Sequence, residues 1–405
     1  MAKILDGIRI IDFTEGHTGS YGTMLLSDFG AEVIKVEDPK RGGDVLRRAF
    51  PKNEAGSAYH AYMNRGKRSI CVDRSAEAGR DIIRELIKTA DVVCDAFPAG
   101  ELERCGLDYD SMKEAKPEII YASLTGYGKT GPLSNTAGSD LTSEALCGLM
   151  EMTGFPDGKP TAHGSRIADQ FGGVFMAFSI VAALMARDEN GKGQKIDIST
   201  ADCMFTALED WLMEAVMTGE EGEREGNGSR AIAPYDTFEV KDGYISTAVS
   251  TNRQWSKFCE AMGMEELIDG PRYNTNENRG EHYYGEDGLR KKIADKFRDM
   301  SKWEVEELLR PWNIPSGPGF TVKEAFENQQ LNSRNMVVEI KDKALGRIKM
   351  PGIPIKISGI DDDPTGSAPL LGEDTESLLK EICRGDEEIE RLADKHVIIC
   401  ERRDA

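Results

Sequence analysis

Short apolar segments rich in β-branched residues alternate with helix-like segments through the first 128 residues of the chain. The segment AEAGRDIIRELIKTA has the spacing of an amphipathic helix. An earlier helix-like segment, GSYGTMLLSDFG, ends at Gly30, and glycine commonly terminates helices. Such alternation favours parallel strands that are joined by helices covering the sheet. We therefore predict a mostly parallel, Rossmann-like α/β core with strands at residues 8–13, 31–37, 67–73, 91–97 and 118–128.

The loop after the first predicted strand lacks the signature of dinucleotide-binding proteins. Its sequence, TEGHTGSYG, does not space the glycines as GxGxxG, and the chain contains no P-loop motif. A nicotinamide or flavin cofactor is therefore disfavoured.

A smaller domain is predicted to be inserted in the α/β domain, because 405 residues are too many for one compact core. Residues 219–234 are charged, rich in glycine and without periodicity, which is typical of a flexible linker. Lys241-Asp242-Gly243 is a turn signal between two strand-like segments. The predicted division is a large α/β domain at 1–218, a linker at 219–234, a smaller α+β domain at 235–325 and a return to the large domain at 326–405.

Charge and composition disfavour several kinds of ligand and a membrane location. The formal net charge of -20 disfavours nucleic acid and anionic membranes. The longest apolar stretch, Val174–Met185, is shorter than the ~20 residues that cross a bilayer, and the N-terminus does not resemble a signal peptide. The eight cysteines and five histidines show no zinc-ligand spacing. We therefore expect a cytoplasmic protein with no metal site.

Asp169 introduces the long apolar segment IADQFGGVFMAFSIVAALMAR. At the start of a helix, the dipole and free N–H groups would favour a charged carboxylate, and Gly172 and Gly173 would leave room for a substrate to approach. Aspartate is also among the commonest helix N-caps. The local sequence alone favours the capping role, and the two roles are compatible.

Nine segments in order along the chain carry a family resemblance. They are LDGIRIIDFT, GAEVIKVEDP, NRGKRSICVD, ADVVCDAFPAGELERCGLDYDSM, SLTGYGKTGP, ADQFGGVFMAFSIVAALMAR, GKGQKIDIS, IPSGP and PLLGEDT. With these segments the chain resembles class III CoA-transferases, the group of formyl-CoA:oxalate, carnitine and bile-acid CoA-transferases, whose superfamily includes α-methylacyl-CoA racemase. The resemblance implies an interlocked homodimer with the active site where large and small domains meet.

The resemblance also implies a reaction. Coenzyme A would pass from an acyl-CoA donor to a carboxylic acid acceptor through acyl and CoA intermediates bound to Asp169. A carboxylate attacks a thioester slowly in water, so a covalent route with a stabilised oxyanion divides one difficult step into easier ones. No tightly bound cofactor is expected, because CoA and acyl-CoA are substrates.

Further site residues follow from the resemblance. His17 replaces a family glutamine and could donate a hydrogen bond to the oxyanion. Asp140 matches an acidic residue of some transferases, although it could instead cap the helix predicted after it. The predicted CoA-binding residues are Arg104, Arg74, Val72, Ala96, Phe97, Gly16, Thr18 and Lys40. Some members have arginine where this chain has Asp38, and Lys40, Arg41, Arg47 or Arg48 could compensate for it.

Two other functions remain open at this point. A racemase needs an acid/base pair beside the α-carbon, and family racemases supply a histidine where this chain has Ser139. Serine cannot hold a proton near neutral pH as histidine can, which favours the transferase. The second alternative is a non-catalytic acyl-CoA-binding protein on the same fold.

Overall fold

The computed structural model describes residues 3–229, 231–364 and 366–401. The chain divides into two compact units. The large unit comprises Met1–Leu149, Ala162–Glu209 and Gln329–Ala405. The small unit comprises Met150–Thr161 and Asp210–Asn328, so it includes a short segment that precedes the predicted small domain in the chain.

The described residues form twelve strands. They are β1 (Arg9–Asp12), β2 (Glu32–Glu37), β3 (Arg68–Val72), β4 (Val92–Asp95), β5 (Ile120–Thr125), β6 (Lys195–Ser199), β7 (Tyr235–Val240), β8 (Gly243–Ala248), β9 (Ser316–Pro318), β10 (Val337–Asp342), β11 (Gly346–Pro351) and β12 (Ile398–Ile399). Each of the first five lies within one of the predicted strand segments.

A seven-stranded sheet organises the large unit in the order β12-β3-β2-β1-β4-β5-β6. Strands β1 to β6 pair in parallel, and only β12 at the edge is antiparallel. Successive side chains of β1 enter different cores: Ile11 packs with Ile34 on one face, and Ile10 packs with Val33 on the other. Burial on both faces explains why apolar residues predominate in these strands. The prediction of a mostly parallel α/β sheet is confirmed.

Seventeen α-helices accompany these strands in the part of the chain that the structure describes. They are α1 (Ser20–Asp28), α2 (Ala58–Met63), α3 (Glu77–Lys88), α4 (Tyr109–Ala115), α5 (Asp140–Cys147), α6 (Leu149–Met152), α7 (Ile167–Asn190), α8 (Thr200–Phe205), α9 (Glu209–Thr218), α10 (Asn252–Met262), α11 (Asn276–Glu281), α12 (Leu289–Phe297), α13 (Lys302–Leu309), α14 (Val322–Glu327), α15 (Gln329–Ser333), α16 (Thr375–Glu381) and α17 (Asp386–Asp394).

The long helix α7 packs into the core of the large unit through Met176 and Ile180. Its 24 residues have a mean hydropathy of 1.7 over the most apolar 18-residue window, so by length and composition alone it could cross a membrane. Core helices of soluble proteins pass the same test, which makes this weak support for a membrane span. The other face of α7 exposes apolar side chains, among them Phe178, which is 70% exposed.

Helices α1 and α7 meet backbone to backbone at a pair of glycines. A Cβ atom added to Gly22 would lie 2.6 Å from the Gly173 carbonyl oxygen, and one added to Gly173 would lie 2.9 Å from the Gly22 nitrogen. Real Cβ atoms essentially never come that close to another heavy atom. This contact fixes the start of α7 against the helix that follows β1.

The small unit has its own sheet and core. Strands β7, β8 and β9 form an antiparallel sheet, and the predicted hairpin turn is confirmed by the pairing of Val240 with Gly243. Trp255, Phe258 and Phe297 pack in the core beneath it. The described residues of the predicted linker form no helix or strand. Within that linker, the Arg224 guanidinium donates hydrogen bonds to the carbonyl oxygens of Glu151 and Gly158.

One predicted helix is interrupted. The periodic pattern from Ala201 to about Thr218 predicts a continuous helix, but α8 ends at Phe205 and α9 begins at Glu209, with a 3-10 turn between them. Glu209 adopts a positive φ of 41°, which breaks the helical path. The continuous-helix prediction is therefore wrong, and the break coincides with the boundary between the two units.

Candidate functional site

The carboxyl ends of the parallel strands bring several predicted site residues to one edge of the sheet. Gly16, His17 and Thr18 follow β1, Arg74 follows β3, and Phe97 follows β4. Open α/β sheets bind ligands at this edge, where the strand order reverses. Of the remaining predicted residues, Val72 ends β3, Ala96 follows β4 and Lys40 lies in the turn after β2.

Buried charges support the loop that carries His17 and Thr18. The Lys35 ammonium pairs with Asp44 at 2.8 Å and donates to the Thr14 carbonyl oxygen at 2.6 Å. The other oxygen of Asp44 accepts the Gly16 N–H at 3.0 Å. Beside this pair, Lys67 donates to Asp12, and burial lowers the pKa of Lys67 to about 8 although Asp12 opposes the change. The loop therefore rests on ion pairs that are shielded from water.

Asp169 lies in the first turn of α7, but it is not the helix cap. The helix begins at Ile167 after Arg166, which makes Asp169 its third residue and corrects the expectation of an N-cap. The carboxylate is 4% exposed and its Oδ1 accepts a hydrogen bond from the Thr18 hydroxyl at 2.6 Å. Burial raises the pKa of Asp169, the Thr18 hydrogen bond opposes the change, and the charge of Asp140 adds to it.

Asp140 supports the backbone of Asp169. Its Oδ1 accepts the Asp169 N–H at 3.0 Å, one of the N–H groups that a helix leaves without an internal partner. The expectation that Asp140 might cap its own helix is wrong. Ser139 is the N-cap of α5 and forms a reciprocal capping box with Thr142, which leaves Asp140 free to reach α7.

Glu144 adds a third carboxyl group that the sequence reading missed. It is 1% exposed, and its Oε2 accepts the His163 N–H at 2.9 Å. Burial raises the pKa of Glu144, the His163 N–H opposes the change, and the nearby carboxyl group of Asp140, one helical turn earlier, adds to it. The i,i+4 spacing of the two acids in SDLTSEAL was the available signal for this pair.

His17 is neutral at physiological pH. Burial, helped by the charge of Arg166, lowers the pKa of His17 to about 4. Its ring meets Tyr59 edge-on, with 4.5 Å between the ring centres. Burial raises the pKa of Tyr59 and the charge of Arg166 opposes the change; neither of these two residues was predicted. A neutral imidazole can donate one hydrogen bond to a ligand without carrying a charge.

The predicted role of Gly172 and Gly173 is wrong. Both are buried, so they do not leave room for a substrate. A Cβ at Gly172 would lie 3.0 Å from the side chains of Leu124 and Thr200, and Gly173 faces Gly22. The glycines allow α7 to pack closely against its neighbours.

The two predicted phosphate-binding arginines differ in their surroundings. Arg104 is exposed, and its guanidinium forms no ion pair with the residues that the structure describes. The Arg74 side chain is only 9% exposed, pairs with Glu101 at 2.7 Å and lies over the Phe97 ring at 4.5 Å. Lys40 is exposed and bonds Asp73 at 2.8 Å. Arg104 is therefore the better placed of the two arginines to meet a phosphate group.

One acidic group among the described residues has a spacing that could suit a metal ion. Ligand oxygens of Asp361, Asp362 and Asp363 lie within 4.8 Å of one another. Lys356 pairs with Asp362, and the Asn335 amide donates to Asp363. Exposed acidic groups of this kind are common without an ion, so the geometry alone assigns no metal.

Comparison with known proteins gives consistent matches over most of the chain. A family model described as CoA-transferase family III matches residues 5–375. Succinyl-CoA:glutarate CoA-transferase of Mus musculus is 35% identical over 98% of this chain and 90% of its own length. Acetyl-CoA:oxalate CoA-transferase of Acetobacter aceti is 35% identical over 93% of this chain and 95% of its own. The crystal structure of a CAIB/BAIF family protein from Brucella suis superposes with a TM-score of 0.83 at 34% identity, over 94% of this chain and all of that one.

Proposed function

This chain belongs to CoA-transferase family III and is a CoA-transferase, and on that premise we propose that Asp169 is the residue on which the transferred groups are carried. The position of the Asp169 carboxylate is the observation that supports the proposal. It lies in the first turn of α7, and one oxygen accepts a hydrogen bond from Thr18. Thr18 belongs to the loop at the carboxyl edge of the sheet, beside the predicted CoA-binding residues.

The first step is attack on the donor thioester by Asp169. Thr18 holds Oδ1, and no described residue hydrogen-bonds Oδ2, which is therefore the oxygen that attacks. The C–S bond breaks, CoA leaves as its thiolate, and a mixed anhydride remains on Asp169. The neutral His17 imidazole is suited to donate to the oxyanion that forms at the thioester carbonyl.

The remaining steps exchange groups on the same carboxyl. The CoA thiolate attacks the aspartyl carbonyl of the anhydride, which releases the donor acid and leaves a CoA thioester on Asp169. The acceptor carboxylate attacks that thioester and expels the thiolate. The thiolate then takes the acceptor acyl group and frees Asp169. No step removes a proton from carbon, so a neutral His17 suffices.

The structure of the Ser139 segment supports transfer over racemisation. Ser139 caps α5 and its hydroxyl accepts the Thr142 N–H, so it has a structural task. A racemase needs an acid/base residue at this position in addition to the aspartate, and a serine that caps a helix does not provide one. We therefore favour CoA transfer over α-methylacyl-CoA racemisation.

We expect the purified protein to exchange CoA between acetyl-CoA or succinyl-CoA and a panel of carboxylic acids. Mass spectrometry of the CoA esters measures the exchange. Deuterium entering the α-carbon of a 2-methylacyl-CoA without exchange would instead indicate a racemase. Tight acyl-CoA binding with neither reaction would indicate a binding protein.

Asp140→Asn is expected to move the acidic limb of the pH profile for kcat/KM to lower pH. The nucleophile must be ionised, so activity is lost as the pH falls through the raised pKa of Asp169. Removing the Asp140 charge lowers that pKa, while the asparagine oxygen can still accept the Asp169 N–H. Acylation rates measured across pH with one acyl-CoA test this, and a limb that stays in place would contradict it.

The proposed assembly is a cytoplasmic homodimer. The exposed apolar side chains Val174, Phe178 and Val181 on α7 continue into Ile355 and Ile357, and together they line an apolar groove of the large unit. A contiguous apolar surface of this kind is typical of a protein interface. It supports a contact with a second copy of the chain.

A further inference from the structure

An exposed arginine near Asp169 forms no ion pair with an acidic side chain in the described part of the chain. Arg166 immediately precedes α7, is exposed, and forms no ion pair within residues 3–229, 231–364 and 366–401. The charge of Arg166 acts on the Tyr59 hydroxyl and opposes the burial that raises its pKa. A guanidinium carries five N–H donors, and because Arg166 is exposed these donors can reach a ligand.

The neighbouring contacts place Arg166 beside the reacting group. The Tyr59 ring contacts His17, and the adjacent Thr18 holds the carboxylate of Asp169. Arg166 is the N-cap residue of α7 and Asp169 is the third residue of that helix, so the two lie within one helical turn. The positive charge of Arg166 acts to lower the pKa values of His17, Tyr59 and Asp169. The Arg166 guanidinium therefore lies close to the proposed nucleophile and is not a remote surface charge.

The other charges around Asp169 are unfavourable to an anionic ligand. The carboxylate of Asp140 accepts the Asp169 N–H and its charge acts on Asp169, and the whole chain carries a net charge of -20. A substrate with one carboxyl group presents that group to the reaction. A substrate with a second, unreacted carboxylate would bring a further negative charge into this site and would need a cation to receive it.

We propose that Arg166 binds the remote carboxylate of a short dicarboxylic acid while the other carboxyl group exchanges CoA at Asp169. The inference rests on the proposed function and specifies its substrate class. Arginine suits this task because its planar fork can make two parallel hydrogen bonds to one carboxylate. Arg166 thereby determines specificity, and the reacting carbonyl is left to Asp169 and His17.

The test compares two acceptors that differ only at the far end. Glutarate ends in a second carboxylate, whereas pentanoate has the same chain length and ends in a methyl group. With acetyl-CoA or succinyl-CoA as the common donor, the wild-type protein is expected to prefer glutarate. Arg166→Gln should lower the glutarate-to-pentanoate ratio of kcat/KM by about ten- to hundredfold, mainly by raising the KM for glutarate. Arg166→Lys should lower it less, because the charge remains and the fork is lost.

A matched control is Arg391→Gln, which removes an exposed arginine from α17 in the same unit. This variant should keep the wild-type ratio. An unchanged ratio in Arg166→Gln would overturn the inference while leaving CoA transfer intact. Equal losses with both acids would also overturn it, because they would place Arg166 at the reacting carbonyl. A wild-type protein that transfers CoA to neither acid nor to any other in the panel would contradict the proposed function itself.

Discussion

Asp169→Ala is expected to reduce CoA transfer by at least about three orders of magnitude, the scale seen when an enzyme loses its nucleophile. The variant lacks the only carboxylate that Thr18 holds among the described residues, so no anhydride can form. Exchange between an acyl-CoA and a carboxylic acid, measured by mass spectrometry, gives the rate. Circular dichroism and the urea midpoint should show that the variant stays folded.

The matched control is Asp188→Ala, which removes an exposed acid near the other end of the same helix. It should transfer CoA at close to the wild-type rate. The covalent intermediate can also be trapped directly, because hydroxylamine converts an aspartyl anhydride or thioester to a hydroxamate. Peptide mass spectrometry should find that hydroxamate at position 169 after incubation with acyl-CoA. An adduct at another residue, or near-normal transfer by Asp169→Ala, would exclude the assigned role.

Lys35→Met is expected to lower the free energy of unfolding by roughly 3–5 kcal/mol, the usual cost of leaving one partner of a buried ion pair alone. Lys35 and Asp44 are both fully buried, and the pair lies directly beneath the loop of His17 and Thr18. Transfer should fall together with stability, because Asp44 anchors the Gly16 N–H. Urea unfolding and the exchange assay measure the two effects.

The pH dependence separates this explanation from a simple packing defect. Burial acts to raise the pKa of Asp44, but Lys35 and the backbone N–H groups hold it well below its ordinary value. That depressed pKa stabilises the wild-type protein above the unfolded pKa, and the stabilisation is lost as the pH falls. The difference between the two proteins should therefore shrink in acid. The double variant Lys35→Met/Asp44→Asn should recover much of the stability, since the amide oxygen can still accept the Gly16 N–H without a buried charge. A deficit that is constant with pH would contradict the ion-pair explanation.

The sheet could be predicted from the sequence because burial on both faces makes apolar residues predominate in its strands. Local pattern did not reveal β12, which has only two residues and depends on pairing with β3. The hairpin of β10 and β11 was also missed, although VVEIKD and GRIKMP lie on either side of a short turn. The break before Glu209 had no local signal, because the apolar periodicity continues through it.

A site residue could be predicted only where the signal for it lay in one local segment of the chain. Asp169 and His17 could be proposed from the motifs around them. Tyr59, Glu144 and Arg166 could not, because their roles arise from contacts between segments far apart in sequence, such as the edge-on contact of the Tyr59 ring with His17. The same reason explains why Gly172 and Gly173 were misread. Their packing partners, Leu124 and Gly22, belong to other elements.

The contact between Gly22 and Gly173 bears on how accurately the carboxylate of Asp169, the proposed nucleophile, is positioned. Thr18 precedes α1 and Asp169 lies in the first turn of α7, so their 2.6 Å hydrogen bond joins the two helices that meet at these glycines. Side chains have alternative rotamers, whereas a contact between two backbones has none. The distance between α1 and α7 is thus set by backbone atoms, which have no rotamers. A change of side-chain rotamer at this contact therefore cannot increase that distance. The distance between Thr18 and Asp169 is consequently controlled by two glycines, each of which lies four residues further along the chain.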